Sequence, residues 1–156
     1  MPKYRMLSLQ ELEELKEEFI EFLIVNGIAA EDWERMKSTQ KEKAEIILEL
    51  FSDAVLETVL RKINFIEYRT KNEVRIIQCL SENQVLVGIE VPQELGIDCS
   101  DPKSFNEAKE LNLQGVKVFT TSKSYLKPRE EEIFDLLESG GLITNDRLFK
   151  LFCLAL

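Results

Sequence analysis

No histidine occurs anywhere in the 156 residues. That absence removes Ser-His-Asp and Cys-His nucleophile activation, the commonest general base near neutral pH, and every histidine-containing zinc site. An all-cysteine zinc site needs four thiolates in paired spacing, whereas the chain has three separate cysteines, Cys79, Cys99 and Cys153. Their odd number and wide spacing suit reduced thiols in a cytosol better than a disulfide framework. Glycine is scarce too: the six, at 27, 88, 96, 115, 140 and 141, form neither a GxGxxG nor a GxxxxGK[ST] frame, so no nucleotide-phosphate cradle is encoded. Acidic side chains outnumber basic ones by 29 to 20, and the net charge of −9 disfavours nucleic acid and anionic lipid surfaces. No apolar run reaches the ~18 residues of a membrane span, and the opening "MPKYRMLSLQELEE" has no signal-peptide core. These absences predict a cytoplasmic protein with no cofactor, no nucleic-acid partner and no membrane association.

What is present is globular. Hydrophobic residues at 44% and charged residues at 31% can build a core, and no linker divides the chain, so one domain over 1–156 is expected. Ser8 followed by Glu11 is a capping box, and Leu7 can staple onto Leu12, which predicts a helix from residue 8 to Asn26 with Gly27 beyond it. Leu9, Leu12, Leu15, Phe19, Phe22 and Leu23 mark its apolar period. A short helix over "AAEDWERMKS" anchors the sole tryptophan, Trp33, against the core. Thr39 and Glu42 repeat the capping signature and predict a long helix to Lys62. Ala44, Ile47, Leu48, Phe51, Val55 and Val59 share one face of it. Asp53, Glu57 and Arg61 lie opposite, with Ile46, Leu50 and Leu60 among them.

From residue 63 the period becomes two. "INFIEYRT", "VRIIQCL" and "QVLVGIEVP", separated by "KN" and "SEN", predict an antiparallel meander with turns at Lys71-Asn72 and Glu82-Asn83. One face then carries Ile63, Phe65, Val74, Ile76, Leu80, Val85, Val87, Ile89 and Val91, a floor for the long helices. The other places Arg75 between Tyr68 and Glu90, beside Ile66, Ile77, Cys79 and Leu86. Too apolar to stand wholly in water, this second face predicts cover by the chain's tail or self-association. Residues 92–104 read as the longest loop, followed by a short helix near "SFNEAKELN" and a fourth strand at "GVKVFTT". Pro128 starts a helix that Gly140-Gly141 stops, and Thr144 or Asn145 caps a last one, together forming a helical hairpin.

Within "FSDAVLETVLRK", Asp53 and Glu57 stand one helical turn apart, a spacing at which two carboxylates can share a proton or a divalent cation. The structural alternative is that Glu57 pairs with Arg61 four residues on, while Ser52 and Asp53 fill a polar window. Cys99 in "DCSD" lies between two carboxylates that suppress its thiolate, and Asp98 with Asp101 are too few oxygens for an ordered cation loop. The final "CLAL" has the form of a prenylation box, but only Arg147 and Lys150 precede it as basic residues. Packing of Leu148, Leu151, Phe152 and Leu154 in a terminal helix accounts for the same residues. Those two basic residues also argue against a groove-reading helix-turn-helix in the tail.

The segments "LSLQELEELKEEFIEFLIVNGI", "FSDAVLETVLRKINFIEYR" and "EIFDLLESGGLITNDRLFKLF" resemble a family of short, acidic bacterial proteins of unknown function over nearly the whole chain. The resemblance implies a bacterial cytoplasmic protein, which weakens prenylation further, and supplies no activity. Ser52, Asp53, Glu57 and Lys62 match its distinctive block; Pro92 to Gln114 departs most. Together these features predict an α+β fold: N-terminal long helices on a three- to four-stranded antiparallel meander, closed by a C-terminal helical pair. The expected function is a non-enzymatic interaction or regulatory protein with a protein partner or a homodimeric contact. Its surface is either the sheet cluster of Tyr68, Arg75 and Glu90 or the mixed face of the long helix. The alternative is a divalent-metal-assisted enzyme acting through Asp53 and Glu57, with Ser52 and Arg61 in the same polar cluster.

Overall fold

In the computed structural model, which describes residues 1–108 and 116–156, Ser8 opens the first helix as its sequence requires. Its Oγ accepts from Glu11 N at 3.1 Å, and Glu11 Oε1 accepts from Ser8 N at 2.9 Å. The helix is not continuous to Asn26: α1 (Leu9–Glu14) and α2 (Lys16–Val25) meet at Leu15, whose φ of −102° and ψ of 23° leave the helical basin. The kink changes the phase of the apolar stripe, so Leu9 is exposed although its period placed it inward. The third helix, α3 (Ala30–Thr39), follows, and then α4 (Lys41–Arg61). Thr39 does not cap α4. It ends α3 by donating from Oγ1 to Arg35 O at 2.7 Å, and Gln40 makes the corner.

These elements form the first of two compact units, Met1–Arg61. Its core sets aromatic rings among aliphatic side chains. Leu23, Trp33 and Ala44 are buried, with Phe19, Met36, Ile47 and Leu48 against them, and Phe19 meets the Trp33 and Phe51 rings edge-on at 5.1 and 4.9 Å. Ser52 and Leu60 are buried on α4 while Val59 is 44% exposed, so the covered arc is rotated from the predicted one.

The second unit, Lys62–Leu156, contains β1 (Phe65–Arg69), β2 (Glu73–Cys79), β3 (Asn83–Glu90), a 3₁₀ turn over Gln93–Leu95 and α5 (Pro102–Ala108). Then come β4 (Lys117–Ser124), α6 (Arg129–Glu138), β5 (Leu142–Thr144) and α7 (Arg147–Leu154). The expected short helix thus begins at Pro102, and the part of that expectation past Ala108 lies outside the described residues. The five strands form one antiparallel sheet in the order β4-β3-β2-β1-β5. The first hairpin has the expected register, with Tyr68 opposite Arg75. The second closes one residue earlier, around Ser81-Glu82, with Leu80 N donating to Asn83 O at 3.0 Å, which shifts the pairing register by two. An even shift preserves which face each side chain occupies but changes every partner: Arg75 faces Gly88, and Glu90 faces Glu73.

Val74, Ile76, Val87 and Ile89 are buried on the face expected to be a floor. Within this unit they pack with Cys99 and Phe105 and with Leu148 and Phe152 of α7. The opposite face is met by α6. Tyr68 donates its hydroxyl to Leu136 O, and Arg129 donates to the carbonyls of Ile63, Cys79 and Leu80. The tail is therefore not a helical hairpin. The β5 strand pairs with β1, Ile143 opposite Ile66, and carries the chain round the sheet edge from one face to the other. Its entry is tight: Gly140 has φ 109°, which excludes most side chains, and a Cβ at Gly141 would stand 2.6 Å from Ile66 Cγ2 and 2.8 Å from Leu136 O.

Candidate functional site

Two polar clusters were singled out by the sequence, and the fold treats them differently. On α4, Asp53 accepts from Lys3 N at 2.8 Å through Oδ2 and from Tyr4 N at 3.1 Å through Oδ1. Glu57 accepts from the Tyr4 hydroxyl, and the Lys3 ammonium and Arg61 guanidinium lie 3.6 and 3.5 Å from it. Leu7 N donates to Ser52 Oγ at 3.1 Å, while Ser52 itself donates to Leu48 O at 2.7 Å. One turn earlier, Glu49 meets the amino terminus at 3.3 Å. Residues 1–7 thus run along an acidic stripe whose oxygens take up their N–H groups. The Tyr4 hydrogen bond, with help from Lys3 and Arg61, holds the Glu57 carboxyl below its usual range. The predicted Glu57–Arg61 pair exists, and Ser52 and Asp53 do form a polar window; its contents are backbone N–H groups.

On the sheet, Tyr68 and Arg75 come together and Glu90 does not join them. The two-residue register shift sends Glu90 to Glu73 on one side and Lys117 on the other. Its place beside Arg75 is taken by Glu73 from the same strand, N–O 3.1 Å. Tyr68, Thr70, Glu73 and Arg75 then form the polar wall of an open hollow of about 390 Å³, and Ile77, Leu86 and Leu136 its apolar wall. Thr70 Oγ1 accepts from Glu73 N at 3.1 Å and so fixes the hairpin end. Phe119 of β4 extends the surface: its ring rests on Gly88, where a Cβ would stand 2.5 Å from Phe119 Cζ, and the Arg75 guanidinium carbon is 5.8 Å from the ring centroid. Arg75 is 46% exposed at its side chain, so the ion pair is open to a ligand.

The remaining candidates are plainly placed. Asp98 accepts from Ser100 N at 3.0 Å and Asp101 from Lys103 N at 3.0 Å, so each carboxylate closes a local turn. Cys79 and Cys99 are buried and Cys153 is exposed. Burial pushes the Cys79 thiol up to about 11, and raises Cys99 as well. Leu148 and Phe152 are buried in α7, but Leu154 is 86% exposed and not part of its packed side. Among the described residues, no three His, Cys, Asp or Glu side chains are grouped to hold a metal ion, and no helix is long and apolar enough to cross a membrane.

The three segments that carry the resemblance fall on α1 and α2, on α4 with β1, and on α6 through α7. A family description covers residues 1–156 without a break. The chain belongs to the family of unknown function DUF6495. No curated protein and no solved structure matches it. In this DUF6495 chain the sequence overlooked Tyr4, Arg129 and Phe119. Arg129 had a signal, as a basic residue just after Pro128 at a helix start, where the dipole disfavours it; its guanidinium donates to the carbonyls of Ile63, Cys79 and Leu80.

Proposed function

We propose that this chain is a non-enzymatic cytoplasmic interaction protein that receives an extended segment of a partner protein on the α6 side of its sheet. The observation carrying this reading is the open hollow beside the Arg75–Glu73 pair. Its apolar wall fits one large aliphatic or aromatic side chain. The ion pair offers donors and acceptors together, the combination a peptide group presents in reverse. The reading is preferred to a carboxylate-based, metal-assisted enzyme because the oxygens of Asp53 and Glu57 already accept from residues 3 and 4. A cation would have to displace those bonds.

The test is cross-linking in extracts of the source cell with wild type, Leu86→Lys and Asp53→Ala, and light scattering of the purified chain. Recovery of one partner that is lost with Leu86→Lys and kept with Asp53→Ala supports the proposal. A doubled mass that Leu86→Lys returns to that of one chain identifies the partner as a second copy. Partner capture indifferent to Leu86→Lys, or none at all, overturns it.

A further inference from the structure

The first unit carries a second opening, and its chemistry differs from that of the sheet. Between α2 and α4 lies a groove of about 430 Å³ floored by Phe22, Phe51 and Val55. Phe22 and Phe51 are in ring contact at 5.3 Å, so the floor is a continuous aromatic surface. Along its rims stand Val25 and Val59, 84% and 44% exposed, large apolar side chains that this unit leaves in water. Glu18 and Glu21 complete the α2 rim. They are three residues apart on one helical face, and neither has an ion-pair partner among the described residues, whereas Glu49 and Glu57 on α4 do. No basic residue lines the groove.

We infer that this groove binds an amphipathic helix of a partner protein whose apolar stripe is flanked by Lys or Arg. The length fits: Lys16 to Val25 spans about 15 Å of helix, enough for nearly three turns of a facing helix. Apolar residues at i, i+3 or i+4, and i+7 of the partner would reach Phe22, Phe51 and Val59. Glu18 and Glu21 select its charge: a basic flank gains two attractions, an acidic one meets two repulsions, and an anionic lipid surface is repelled. This rests on the reading of the chain as a binding protein, but it uses a different surface.

The probe is a fluorescein-labelled helical peptide of about 14 residues with leucines at that spacing and lysine flanks, set against the same peptide with glutamate flanks. Fluorescence anisotropy with the full chain should show saturable binding of the lysine peptide, at least about tenfold tighter than the glutamate one. Glu18→Lys with Glu21→Lys should invert the preference, and Val25→Asp, at an exposed position that does not endanger folding, should weaken both. Leu86→Lys should leave peptide binding unchanged, so that loss of the sheet-face partner and loss of the groove are read separately. No saturable binding, no charge preference, or a preference untouched by the double substitution overturns the inference.

Discussion

The acidic stripe of α4 and the ion pair on the sheet look alike in sequence, each a few charged or hydroxyl residues set among apolar ones. In the fold they are opposites. The stripe is saturated: backbone N–H groups of Lys3, Tyr4 and Leu7 end on Asp53 and Ser52, and Glu57 takes the Tyr4 hydroxyl. The sheet cluster keeps a hollow beside it and half of Arg75 in solvent. Polar residues on an apolar element therefore gave no indication of function until the partners of each oxygen were known.

The largest effect that would break this contrast lies beneath the sheet cluster. Ile66 is fully buried against the β5 entry, and Ile66→Ala should cost about 2–5 kcal/mol in denaturant unfolding. If it costs under 1 kcal/mol, α6 does not seal this side. Next is Ser52→Ala, which leaves the buried Leu7 N–H without an acceptor and should cost about 1–3 kcal/mol; a neutral result would mean that residues 1–7 do not rest on α4 in solution.

Tyr4→Phe is smaller and depends on pH. The folded pKa of Glu57 is depressed below its ordinary value of 4.5, first by the Tyr4 hydroxyl. Its stabilisation is therefore present above that value and is lost as pH falls through the lower, folded one. Tyr4→Phe should lower stability at pH 7, flatten the acid limb of stability against pH, and leave stability below the folded pKa, where Glu57 is protonated, nearly unchanged; an unchanged acid limb would contradict the assignment. Smallest is Arg75→Met, expected to change stability by under about 1 kcal/mol because the pair is half exposed, while reducing partner capture. A large loss of stability would move Arg75 from the open cluster to the saturated kind. Magnesium or calcium should give no thermal shift that Asp53→Ala removes; such a shift would revive the metal-assisted alternative.

What could be read in the sequence was local. The capping box at Ser8 and Glu11, the Lys71-Asn72 turn and the two-residue period that assigns sheet faces all depend on neighbours within a few positions. The β5 strand escaped because three residues, Leu142–Thr144, are too few to show a period, and their extended form comes from pairing with β1. The second turn was misplaced by one residue, and the register by two, because Ser81, Glu82 and Asn83 all suit a turn. Choosing Glu82-Asn83 kept the faces and cost the Arg75–Glu90 pairing. Asp53 and Glu57 could not be judged at all, because their partners lie 49 to 53 positions away, in a segment with no pattern of its own.

The three thiols make a chemical footprint of folding. With Cys79 and Cys99 enclosed and Cys153 at the surface, a brief pulse of maleimide would tag the native chain once and the opened chain three times. Because Cys79 ends β2 and Cys99 lies in the core packed on the opposite face with Val74 and Phe105, the order in which their sulfurs appear would report which side of the sheet lets go first.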